Sequence, residues 1–204
     1  QIYNQKNIMV RLLVYIKHHL AFIWSWVEWG NSFLFNLLYG KKLRKAIPDV
    51  LDKIDSEYQF RWLRKEEMPQ LADFFTKQSD SAYEFFKPHG FDLKSLVSKN
   101  KDKSFIMIGA FSGNEMVGYC FLRCFFNKHV FRGKIVDIQY QGRGIAKMMG
   151  RLTTEICQLA GFRLFATISR NNVKSISSSK AVNDICIIKE LPNDYLYVEY
   201  LLKR

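Results

Sequence analysis

The spacing of apolar residues divides the chain into stretches of helical and of strand period. Ile145, Met148, Met149, Leu152, Ile156 and Leu159 recur at the three-and-four spacing of one helix face. Gly161 stands where a C-cap glycine ends such a helix. Before it, residues 135–138 are a β-branched, apolar run that reads as a buried strand, and a turn containing Gly142 and Gly144 joins the two. Strand, tight turn, helix is the predicted order.

Around that unit the pattern continues. Residues 58–64 alternate apolar with polar positions, as in a half-buried strand. Residues 66–77 carry Met68, Leu71, Phe74 and Phe75 on one helical face, with Pro69 tolerated near the start. Residues 80–100 read as helix and loop, with Asp92 placed to N-cap a short helix through Val97. Two apolar runs around Ser112-Gly113-Asn114-Glu115 predict a β-hairpin. Residues 162–168 are a further strand and 172–180 a short polar helix. Residues 184–191 and 195–202 are two last strands joined at Pro192-Asn193-Asp194. The order β-α-α-β-β-β-α-β-α-β-β predicts an α/β (α+β) domain over 58–204, a mixed central sheet flanked by helices.

Residues 1–50 differ in composition. The stretch 8–38 is strongly apolar, contains Trp24, Trp26 and Trp29, and has few charges: Arg11, Lys17 and Glu28. Arg11, His18 and Ser25 fall a heptad apart, which predicts a polar stripe on an amphipathic helix. Gly30-Asn31-Ser32 marks an expected break before a second apolar piece and the basic cluster Lys41, Lys42, Arg44 and Lys45. The stretch free of charge is too short for a membrane span of about 20 residues, and no small-x-small cleavage site follows it. Two readings remain for this extension: a helical hairpin on an anionic membrane surface, or one packed on the domain or a second copy. The chain begins at Gln1, which leaves room for residues upstream.

The 204 residues carry a net charge of +12, which suits anionic partners such as phosphates, acidic lipid or nucleic acid. Aromatic residues make up 15% of the chain but sit in apolar runs rather than among Lys and Arg, which counts against nucleic-acid binding. Cys120, Cys124, Cys157 and Cys186 form no C-x-x-C pair and have no His at ligand spacing. They read as small buried hydrophobes in a reducing, cytoplasmic compartment, and no metal is expected.

Chemistry concentrates at residues 135–146. Glycines at 142 and 144 let the backbone curl and let a ligand approach the free amides at the positive end of the following helix. That is an anion cradle suited to a pyrophosphate. A P-loop would need Gly-Lys-Ser/Thr, which is absent, and a dinucleotide fingerprint would need glycine where Lys147 stands. The pattern that fits is Gln/Arg-x-x-Gly-x-Gly/Ala, met by Gln141, Gly144 and Ala146. In this motif, its setting and the order of elements over 58–202, the chain resembles the GNAT superfamily of acetyl-CoA-dependent N-acetyltransferases.

The resemblance implies an enzyme that moves an acetyl group from acetyl-CoA to a primary amine: a small amine, an amino-sugar or a nucleotide-sugar. It implies that Gln141, Gly142, Arg143, Gly144, Ile145 and Ala146 hold the pyrophosphate, and that the backbone of Val136, Asp137 and Ile138 meets the pantetheine arm. Asn172 matches the asparagine that commonly opens the next helix beside the cofactor. Seven residues on, where many members place a tyrosine to protonate the leaving thiolate, stands Ser179, a far weaker acid. Asp137 is the carboxylate nearest in sequence, Phe86 and His89 lie in a loop that could border an acceptor pocket, and His129 is expected in another loop. Asn171, Lys174 and Lys180 add polarity near the cofactor. Direct transfer in a ternary complex is expected; the alternative is a GNAT-fold module that binds acyl-CoA without transfer.

Overall fold

The computed structural model describes residues 21–203. Helix α1 (Ala21–Leu51) leads into strand β1 (Gln59–Trp62), helices α2 (Met68–Thr76) and α3 (Leu93–Lys101), and strands β2 (Phe105–Ser112), β3 (Glu115–Cys124) and β4 (His129–Val136). Helix α4 (Ile145–Leu159), strand β5 (Arg163–Ser169), helix α5 (Val173–Lys180) and strands β6 (Asn183–Leu191) and β7 (Tyr195–Leu202) complete it. The seven strands form one sheet in the order β1-β2-β3-β4-β5-β7-β6. All neighbours are antiparallel except β4 and β5. The mixed, helix-flanked sheet and the element order agree with the sequence.

Helices cover both faces. On one, α1 and α4 bury Phe35, Leu43, Ile47, Met149, Leu152 and Ile156 against Ile108, Leu122, Val130 and Val198. On the other, α2 and α3 bury Leu71, Phe75 and Leu96 against Met107, Tyr119 and Phe121. Local signals behave as the sequence predicts. Asp92 accepts the Ser95 amide at the start of α3, Asn172 accepts the Ser175 amide at the start of α5, and Gly161 takes φ +76° just after α4.

The N-terminal region departs from its expected form. α1 is one unbroken helix through Gly30, Asn31 and Ser32, and the basic cluster lies within it. A mid-helix glycine costs about 1 kcal/mol, whereas burying one large apolar side chain contributes about 1.5–3 kcal/mol, and α1 buries Phe35, Leu43, Ile47 and Val50. The Asn31 side chain is occupied elsewhere: Nδ2 donates to Cys124 O at 3.0 Å and Oδ1 accepts the Phe126 amide at 3.1 Å. Glu28 adds ion pairs to Arg123 and Lys99. The polar stripe expected through Arg11 and His18 lies outside the described residues. Opposite the buried face, Trp26, Trp29, Phe33 and Leu37 are exposed, with Trp29 stacked on Phe33. No helix among the described residues is long and apolar enough to cross a membrane.

If α1 is core rather than appendage, Phe35→Ala should destabilise the domain by about 3–5 kcal/mol in urea unfolding. Leu37→Ala, at a site 69% exposed on the same helix, should stay within about 0.5 kcal/mol. Equal, small effects would detach α1 from the fold.

Candidate active site

Among the described residues the sheet parts between β4 and β5. β4 and β5 pair only at His129–Arg163, Val130–Leu164 and Phe131–Phe165, and then both run on unpaired with each other, to Val136 and Ser169. On its other edge β4 stays paired with β3 as far as Val136. The Asp137 amide still donates to Val117 O of β3 at 3.0 Å. Alternation along a strand therefore turns the backbone groups of Val136, Lys134 and Arg132 toward the opening.

At its mouth stands the start of α4. Gly142 and Gly144 take φ +81° and +85°, and Gly144 is the N-cap. These are left-handed values that a side chain at either position would strain. The Gly144 carbonyl accepts the Lys147 and Met148 amides. The Ile145 and Ala146 amides, the first two of the helix, have no partner among the described residues. No acidic residue stands in the first turn, and Arg143 lies nearby over the Tyr140 ring at 4.8 Å. Gln141 spans the mouth: Nε2 donates to Val136 O at 3.4 Å, and Oε1 accepts from Lys174 Nζ of α5 at 3.0 Å. Free amides, positive helix end and cations together fit a pyrophosphate.

Two expectations about this stretch are corrected. The strand ends at Val136, and Ile138–Tyr140 is a 3-10 turn with Ile138 61% exposed. The cause is Asp137, whose Oδ1 caps the turn by accepting the Gln139 amide at 2.8 Å, while Oδ2 accepts from Gln78 Nε2 at 2.9 Å. An aspartate so held leaves the strand ladder after Val136. His129, expected in a loop, opens β4 and rests on the Phe165 ring at 4.7 Å.

The other predicted residues divide between the two faces of the sheet. Ser179 is fully buried, and its Oγ has no partner among the described residues. His89 and Phe86 belong to the opposite face, in a cluster with Phe75, Phe91, Tyr119 and Phe121. This cluster reaches β4: a Cβ at Gly133 would lie 2.3 Å from the Phe121 ring and 3.2 Å from that of Phe86. The His89 Nδ1–H donates to Gly90 O at 2.8 Å, which leaves Nε2 to accept from the Tyr119 hydroxyl at 3.0 Å. Burial lowers the His89 pKa, with Lys99 acting in the same sense and the bond to Gly90 O opposing it. Burial also holds the Tyr119 hydroxyl protonated, its pKa well above the usual phenol range.

Sequence reading missed two residues on the α4 side. Arg132 and Lys134 alternate with Val130 and Val136 on the face of β4 that α4 covers. Arg132 Nη1 donates to Gly150 O, Thr153 Oγ1 and Thr154 Oγ1, and the guanidinium lies 3.8 Å from the Tyr200 ring centre. Lys134 Nζ donates to Ala146 O of α4 and Ser178 Oγ of α5, each at 2.9 Å. Charges at period-two positions of an otherwise apolar strand were the available signal.

The family model described as the Acetyltransferase (GNAT) family matches residues 57–178. Among solved structures, the chain is similar to the GNAT domain of PAT from S. lividans, at 15% identity and TM-score 0.58, covering 71% of this chain and 90% of that one. It is similar to the ribosomal-protein-S5-alanine acetyltransferase from Vibrio fischeri, at 14% identity and TM-score 0.56, covering 73% and 94%. The aminoglycoside acetyltransferase AAC(6')-Ib in complex with coenzyme A and kanamycin matches at 11% identity and TM-score 0.56, covering 72% and 95%. At such identities these likenesses show the fold alone. No curated protein sequence matches the chain. The family match over more than half its length, on a sheet that parts beside a helix N-terminus, places the chain in the GNAT family of acetyltransferases, enzymes that use acetyl-CoA.

Proposed function

We propose that the protein transfers the acetyl group of acetyl-CoA to a primary amine, directly and within a ternary complex. The observation that carries this reading is the β4–β5 opening with the unpartnered first amides of α4 at its mouth. In it, the loop of Gln141, Gly142, Arg143, Gly144, Ile145 and Ala146 holds the pyrophosphate. The backbone groups of β4 up to Val136 meet the pantetheine arm, with Asn172 fixing the start of α5 alongside. Acetyl-CoA supplies an activated thioester, and a neutral amine is already a good nucleophile. The chain's task is therefore to align the two, to stabilise charge on the carbonyl oxygen and to remove one proton.

The acceptor enters from the face that carries Phe86 and His89, opposite α4. Similar folds include proteins named for aminoglycosides, spermidine and a ribosomal-protein alanine. Amino-sugars and small polyamines are the first acceptors to test, followed by an alanine-terminated peptide. The exposed Trp26, Trp29 and Phe33 face of α1, with Lys41, Lys42 and Lys45 exposed further along the helix, is an association surface for anionic lipid or for a second copy.

Three outcomes test this account. At 100 times its Kd, acetyl-CoA should stabilise the wild type by about 2.7 kcal/mol in thermal unfolding. Gly144→Val, strained at φ +85°, should lose that gain while remaining folded, and an unresponsive wild type would refute the cofactor assignment. Ser179→Ala removes a buried hydroxyl with no partner among the described residues, so kcat should fall less than about tenfold, below the 10²-fold or more expected of an essential acid. A thousandfold loss, or a trapped acetyl-cysteine, would contradict direct transfer without Ser179. For α1, flotation with anionic vesicles supports a lipid contact; a dimer dispersed by Trp29→Glu supports a second copy. A monomer that ignores vesicles defeats both.

A further inference from the structure

One side of α1 changes character along its length. Trp26, Trp29, Phe33, Leu37, Lys41 and Arg44 follow one another at steps of three and four, so they form a single stripe along the helix. All six are exposed. In its first turns the stripe is apolar, with Trp26 edge-on to Trp29 and Trp29 stacked on Phe33. After Leu37 it is cationic, and Lys42 and Lys45 are exposed beside it. Rings left in water over such a length call for a partner.

The seating of α1 gives the stripe a direction. Asn31 bonds to Cys124 O, at the end of β3, and to the Phe126 amide, and Glu28 pairs with Arg123. Phe35 and Tyr39 each lie 5.6 Å from the ring of Phe162, just before β5, and Lys128, just before β4, lies over the Tyr39 ring. This half of α1 therefore sits at the end of the sheet where β3 finishes and β4 and β5 begin. The mouth at Val136 and Gly144 is at the other end. β4 runs eight residues between the two, about 23 Å at the rise of a strand. The stripe is on the side of α1 opposite its buried Phe35 and Leu43, so it looks away from the mouth.

Charge decides between partners. Glu28 is the only Asp or Glu among residues 1–48, and Arg123 and Lys99 hold it. Two copies of the chain on a twofold axis would lay the stripe against itself. Parallel, cations meet cations; antiparallel, cations meet rings. Either way Lys41, Lys42, Arg44 and Lys45 lose water with no carboxylate to receive them. Residues 1–20 add Lys6, Arg11 and Lys17 but no acid, so they supply no counter-charge. An anionic bilayer surface supplies both halves of the match: an apolar layer for the rings and phosphates for the cations. The net charge of +12 draws the chain the same way. No helix among the described residues is long and apolar enough to cross a membrane, which leaves α1 to lie on the surface.

We propose that the stripe of α1 lies on the surface of an anionic bilayer and turns the acetyl-CoA mouth toward the aqueous side. Trp26, Trp29, Phe33 and Leu37 enter the boundary between headgroups and acyl chains, while Lys41, Lys42, Arg44 and Lys45 meet lipid phosphates. The acceptor amine then comes from solution rather than from the lipid beneath, and lipid contact leaves the cofactor's entry free. This commits the association surface named above to one partner, and rests on that reading.

The test uses the full chain with phosphatidylglycerol–phosphatidylcholine vesicles and with phosphatidylcholine vesicles alone. Wild type should bind the anionic vesicles at least about tenfold more tightly than the neutral ones, and less tightly as salt is raised. A Trp26→Ala, Trp29→Ala double variant and a Lys41→Glu, Lys45→Glu double variant should each lose at least about tenfold in that binding. Their thermal midpoints should stay near wild type, since all four side chains are exposed. Should the tryptophan variant not fold, Leu37→Glu takes its place. On saturating vesicles, amide exchange should slow in peptides covering residues 25–45 but not 132–148, and the Kd for coenzyme A should stay within about twofold of its value in solution. Equal binding to neutral vesicles, or a double variant that binds like wild type, overturns the lipid assignment. Protection of residues 132–148 by vesicles, or loss of coenzyme A binding on them, overturns the orientation. A dimer that ignores vesicles and is dispersed by Trp29→Glu overturns the proposal while keeping the association surface, whereas a monomer that ignores them overturns both.

Discussion

Everything at the candidate site depends on a pairing that stops. β4 and β5 share three residue pairs and then part, while β3 and β7 hold their outer edges in register. Strands that lose a partner inside a sheet leave backbone donors and acceptors facing a gap, and such groups are costly unless water or a ligand meets them. Here the gap is bordered by α4, whose first amides have no partner among the described residues, and by α5, tied across it through Lys174 and Gln141. The same break in pairing supplies hydrogen-bonding strand edge and anion-binding helix end at one place. That is what a long ligand with a phosphate at one end and an amide-bearing arm at the other requires.

The two faces of the sheet divide the work. The α4 face is largely apolar, but Arg132, buried, and Lys134, partly buried, lie beneath its helix among Thr153, Thr154 and Ser178. The α2–α3 face is aromatic, and its rings close over Gly133. α1 contributes by packing beside α4 on that face, with Phe35 against Phe162 and Tyr39. Its outer surface is left apolar.

How far the sequence carried the fold is clear from particular residues. Gly142, Gly144 and Gly161 were readable because positive φ leaves little choice of residue, and all three take it. Asp92 and Asn172 were readable because a cap acts on a neighbour three positions away. Local rules failed where a distant contact decides. Gly30 looks like a break until Asn31 is seen bound to Cys124 O and the Phe126 amide, more than ninety residues away. Ile138 looks like strand because β-branched residues suit strands, but Asp137 folds the chain into a turn through its own side chain. Lys134 stayed hidden for a related reason. A lysine in a sequence is usually a solvated charge, and only the packing of α4 and α5 over β4 ties its amine to Ala146 O and Ser178 Oγ.

The central claim is that coenzyme A enters the β4–β5 opening with its phosphates on the first turn of α4. Amide hydrogen exchange with and without coenzyme A tests it most directly, at a ligand concentration shown by calorimetry to saturate. The account predicts slower exchange in peptides covering residues 132–148, with residues 105–112 of β2 unchanged. Saturating binding that leaves residues 132–148 unprotected, or protects only the far face around residues 83–91, would contradict it.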